Sequence, residues 1–136
     1  MTIQTHHYPE LHDAELVSVE YEKEYQRLSI GLVRPDGSAD SLTLCGVISI
    51  RVSDFISQNV ISRVLYSGSM NFDKPLLERL VVWVNSLSDG SCLVSKEVVD
   101  VYVSNIQAGL MSIFAIEPSW GAELVCIYTE KVNFED

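Results

Sequence analysis

Apolar and polar positions alternate with a period of two over much of this chain, the spacing that turns one face of an extended strand towards a core and the other towards water. Between Leu16 and Tyr21, Val17, Val19 and Tyr21 fall on one side and Ser18 and Glu20 on the other, which predicts a first strand. Leu28, Ile30 and Leu32 alternate with Ser29 and Gly31 in a second. That run ends at Arg34-Pro35-Asp36-Gly37, where proline and glycine supply the backbone angles of a turn. Leu42 and Leu44 then alternate around Thr43, and Ile48, Ile50 and Val52 around Ser49 and Arg51, in two phases separated by Gly46. The pattern predicts one long strand with a bulge or bend at Gly46, and hence a three-strand meander.

Further along, the period changes. Asp54 to Ser57 reads as a short helical turn, and Val60 to Tyr66, rich in β-branched and aromatic residues and bounded by Gly68, as a fourth strand. From Asn71 to Asp89, Leu76, Leu77, Leu80, Val81, Val84 and Leu87 recur every three or four residues, which predicts a helix. Asp73 suits its N-cap, Pro75 its first turn, and Asp89-Gly90 its end. Ser95 to Gln107 supports two readings, a strand by the alternation of Val99, Val101 and Val103, or a helix. Ser112 to Glu117 and Ala122 to Val132 read as strands joined by a tight turn at Pro118-Ser119-Trp120-Gly121. These elements predict an α+β fold, mainly an antiparallel β meander or sheet with one or two helices packed on it. No repeat or linker interrupts the 136 residues, so residues 1–136 read as a single domain.

Composition adds the character of the surface. Nine lysines and arginines stand against nineteen acidic residues, a formal charge of −10. Phosphate backbones are bound through clusters of lysine and arginine, so this balance argues against nucleic acid and against anionic membrane surfaces. The same field would speed association with a basic protein. The apolar runs are too short to span a bilayer, and Met1 to Glu10 lacks the basic start and apolar stretch of a secretion signal, so a cytoplasmic location is expected. Cys45, Cys92 and Cys126 are odd in number and lack metal-site spacing; Cys45 and Cys126 sit in apolar runs, as buried thiols do.

Candidate chemistry is sparse. His6, His7, His12 and Asp13 are close in sequence, but adjacent residues of an extended chain point apart and no distal ligand set completes the group, so no metal site is expected. His12 and Asp13 have two readings: they hydrogen-bond loop amides at the start of the first strand, or they form an acid–base pair at the mouth of a small-ligand or enzymatic pocket. Neither a glycine-rich phosphate loop nor a GxSxG elbow is present. No catalytic residue and no cofactor are expected, and the chain reads as a non-enzyme. Glu20 and Glu22, on the polar side of the first strand, and Trp120, in a turn, are candidate contacts for a protein partner.

The segments Leu11-His12-Asp13-Ala14-Glu15-Leu16, Gly46-Val47, Gln58-Asn59-Val60-Ile61 and Pro118-Ser119-Trp120-Gly121-Ala122-Glu123-Leu124 together form a pattern. In these the chain resembles small bacterial proteins, some of which look like immunity proteins of polymorphic-toxin systems. The resemblance implies a domain that binds and neutralises a cognate toxin in the cytoplasm. A basic toxin would suit the acidity. A homodimer or larger homo-oligomer joined through its edge strands is the other non-enzymatic reading.

Overall fold

The structure, a computed structural model, describes residues 11–67 and 72–129, and of 133–135 the course of the backbone. Strand β1 (Glu15–Glu22) turns through a single helical turn at Lys23–Tyr25 into β2 (Arg27–Val33), which turns at Gly37 into β3 (Ala39–Cys45). β4 (Val47–Ser53), β5 (Val60–Tyr66), helices α1 (Lys74–Val84) and α2 (Lys96–Gln107), and strands β6 (Ser112–Trp120), β7 (Glu123–Tyr128) and β8 (Asn133–Glu135) follow. The strands form one antiparallel sheet in the order β4-β7-β6-β5-β1-β2-β3-β8. The fold is α+β, as the sequence pattern predicts.

The expected meander is β1-β2-β3, with Leu28 opposite both Tyr21 and Leu44, and Ile30 opposite both Val19 and Leu42. Two details of it differ from expectation. An extra residue sits in β1 between Leu16 and Ser18, and this bulge turns Val17 out of the buried phase, so that half of it is exposed. The long strand does not continue through Gly46. There the backbone takes φ +68°, a left-handed angle that glycine adopts without steric cost, and the chain leaves β2 to pair with β7. β3 therefore lies beside one end of the sheet and β4 at the other, so the sheet must curl over on itself. The Val47 N–H to Gln26 O bond and the Thr129 N–H to Gly46 O bond fasten this corner.

Curling encloses one core and leaves a second on the outside. Inside lie Leu16, Leu28, Ile30, Leu32, Leu42, Leu44, Ile61, Phe114, Ile116, Leu124, Cys126 and Tyr128, all buried. Each leucine or isoleucine so buried contributes about 2 kcal/mol relative to exposure. On the opposite face of β5, β6 and β7, Leu65, Ile113, Ala115, Val125 and Ile127 meet Leu77, Leu80, Val81 and Val84 of α1 and Val99, Val103 and Ile106 of α2. Strands β6 and β7 are covered on both faces, which is why they read as almost unbroken apolar runs.

Both helices begin at side-chain caps: Asp73 accepts from the Leu76 N–H at 2.7 Å, and Ser95 from the Val98 N–H at 3.3 Å. α1 stops earlier than predicted. Asn85 takes the C-cap position and its side-chain amide donates to Val81 O, leaving Leu87 beyond the helix and half exposed. Residues 95–107 resolve as a capped helix, in which Val99 and Val103 face the sheet while Val101 faces water. Asp54 to Ser57 forms no helical turn; it is an open loop, and Asp54 has a left-handed φ of +58°. β6 continues past Pro118 to Trp120, so Trp120 ends a strand instead of sitting within the turn.

Candidate functional site

Three of the four segments that carry the family resemblance meet at one end of the sheet, around the buried side chain of Asn59. Its Oδ1 accepts the backbone N–H groups of Ile56 at 2.9 Å and Ala122 at 3.0 Å. Its Nδ2 donates to Leu16 O at 3.1 Å and Ile56 O at 2.8 Å. A carboxamide has two donor hydrogens and two acceptor positions, and Asn59 uses all four. The side chain ties the start of β1, the loop after β4 and the β6–β7 turn to the start of β5. Gly121, at φ +83°, passes so close that a β-carbon there would lie 2.5 Å from Asn59 Oδ1. The fourth segment, Gly46-Val47, is elsewhere, at the corner of the curled sheet.

Main-chain bonds hold His12 and Asp13 against the same end. The Asp13 N–H donates to Ile61 O and the Ile61 N–H to Ala14 O, both at 2.9 Å. Asp13 has a left-handed φ of +67°. The two side chains are mostly exposed and touch each other, with His12 Nδ1 3.3 Å from Asp13 Oδ2. An exposed contact of this kind is weak. His6 and His7 lie outside the described residues. Among the described residues, no three His, Cys, Asp or Glu side chains gather as a metal site would need.

Trp120 pairs with Val60, and Val60 with Glu15. Residues directly opposite on antiparallel strands project to the same face, so these three form a row across β6, β5 and β1. Trp120 is 62% exposed. On the other segments that Asn59 ties together, Ile56, its neighbour Phe55, and Val17, next to Leu16, are 45%, 47% and 50% exposed. Phe55, Val17, Ser18, Val19 and Val52 line an open groove of about 470 Å³ between β1 and the end of β4. Exposed apolar side chains that line one groove mark surfaces that other molecules cover.

Carboxylates border this apolar end. Asp54 adjoins Phe55 in the loop after β4. Burial pushes the Glu123 carboxyl above its usual range; Glu117 and Asp54 add repulsion, and Arg51 partly offsets it. Arg63 pairs with Glu117 at 2.5 Å. Glu20 and Glu22 do not join Trp120 in one site, because they lie towards the far end of β1 from the Glu15–Val60 contact. Glu22 is also engaged across the hairpin, 2.7 Å from Arg27 Nε, and this hydrogen bond holds its carboxyl below the usual range.

Of these residues the sequence pattern singles out Trp120 alone as a contact; it gives no role to Asn59, Phe55, Ile56 or the outward Val17. Phe55-Ile56 did carry a signal, two large apolar residues set between polar neighbours in a stretch with no period. No protein-family model, curated protein or solved structure matches the chain. Among the described residues, no helix is long and apolar enough to cross a membrane.

Proposed function

We propose that this chain is a binding domain for a basic protein, an immunity protein that occupies a cognate toxin in the cytoplasm. One observation carries the reading: Trp120, Ile56, Phe55 and Val17, all substantially exposed, stand on or next to the segments that Asn59 ties together, in a strongly acidic domain. An exposed tryptophan beside aliphatic and aromatic neighbours is the composition of an interface centre, and surrounding carboxylates favour a partner of opposite charge. The short family resemblance points the same way.

The test is co-expression with, and capture of, the toxin encoded by a neighbouring reading frame. Trp120→Ala should weaken capture by about 2 kcal/mol, some thirtyfold, as removal of a central aromatic anchor does. It should leave the melting temperature nearly unchanged, since the ring is mostly in water. Raising salt should slow association more than dissociation. Undiminished protection by Trp120→Ala, or no binding to the neighbour's product, would sink the reading.

A further inference from the structure

We propose that the groove beside β1 receives an extended, lysine- or arginine-bearing segment of the protein partner, which adds to β1 as an extra strand. The inference rests on the protein-binding reading above and assigns it a surface.

Three observations converge on it. First, β1 pairs with β2 along its length but with β5 only at Glu15–Val60; from Val17 onward, among the described residues, its second edge has no strand beside it. An unpaired edge presents alternate N–H and C=O groups to whatever lies alongside. Second, the groove at that edge has an apolar lining, Val17, Val19, Val52 and Phe55, and the bulge that turns Val17 outward supplies part of it. Such a channel accommodates the side chains of an added strand, alternate ones pointing in. Third, Asp54 is exposed next to the lining Phe55, and Glu20, one residue after the lining Val19, is exposed on the other face of β1, where the outward side chains of an added strand would lie. A lysine or arginine can lay its aliphatic stem on the apolar lining while its charge reaches a carboxylate. An acidic segment would meet Asp54 on the groove side and Glu20 on the other face of β1, so the charge selects a basic occupant.

The experiment uses the full chain, isotopically labelled, and a short synthetic peptide alternating lysine and valine. Hydrogen exchange should slow at those amides between Ser18 and Glu22 that point away from β2. The same peptide N-methylated at alternate backbone nitrogens cannot form the ladder and should give no protection. Glu20→Lys combined with Asp54→Asn should weaken peptide binding about tenfold, a typical effect of removing complementary charge at a contact. Asparagine tolerates the left-handed backbone at position 54, so this variant keeps the loop. Phe55→Ser, at a half-exposed residue, should weaken binding as well.

Absence of peptide binding, or binding indifferent to N-methylation, would overturn the proposal. Protection of the same amides in the free protein would overturn it too: in favour of residues 1–10 if independent of protein concentration, and in favour of a second copy of the chain if it rises with concentration. The groove and the broader reading can fail separately. If the variants above leave toxin capture intact while Trp120→Ala weakens it as expected, the groove falls and the binding reading stands. If the peptide adds to β1 but the neighbouring toxin is not captured, the groove stands and the immunity reading falls.

Discussion

Asn59 shows how much one polar side chain can determine when every hydrogen bond it can make is made. Replacing it with alanine strands the N–H groups of Ile56 and Ala122 and the carbonyl of Leu16 at a buried junction, and each orphaned group costs about 1–3 kcal/mol if water cannot reach it. Asn59→Ala is therefore expected to lower stability by about 3 kcal/mol in chemical denaturation, at the upper end of ordinary substitutions. A loss below about 1 kcal/mol would mean that water replaces the carboxamide. None of this was legible in the sequence, where Asn59 is one polar residue in a loop without periodicity. Two of its partners, at positions 16 and 122, lie 43 and 63 residues away, and no local pattern announces a contact across such separations.

At the scale of elements, most of the structure was legible because burial writes its period into the residues. β2 and β3 alternate as read, and α1 follows its three-to-four spacing to Val84. The failures are local and physical. α2 could be read two ways because Val99 and Val103 satisfy both a period of two and a spacing of four; the Ser95 cap and the outward Val101 decide for the helix. The distinction is measurable. Val101→Asp should change stability by less than about 0.5 kcal/mol, whereas Val103→Asp should cost about 3 kcal/mol or more, since it buries a carboxylate against β-sheet. Equal costs at the two positions in thermal unfolding would contradict the helical assignment. Asp54 to Ser57 forms no helical turn because the side chain of Asn59, bonding the N–H and carbonyl of Ile56, holds the loop open in place of a backbone helix bond.

For the whole molecule, the class of fold followed from the pattern, but the strand order did not. That β4 should lie beside β7, and β3 beside β8, depends on closure between residues far apart in the chain, which no short-range signal encodes. Closure also sets a response to pH that belongs to the entire fold. Burial inside the curled sheet pushes the Cys126 thiol up to about 12. An unfolded thiol ionises near about 8.5, so between these values the unfolded chain has released a proton that the native chain keeps. The unfolded state then binds fewer protons, and stability falls as pH rises through that window. The melting temperature should drop on going alkaline, and less steeply in Cys126→Ala; identical slopes would show that this thiol does not contribute. Iodoacetamide should label the exposed Cys92 in the native protein and Cys126 only after unfolding. The corner at Gly46 has a consequence of the same reach. A single uninterrupted backbone is a member of both halves of the sheet, so neither half can detach while the other keeps its full set of neighbours, and the molecule should melt in one all-or-none transition.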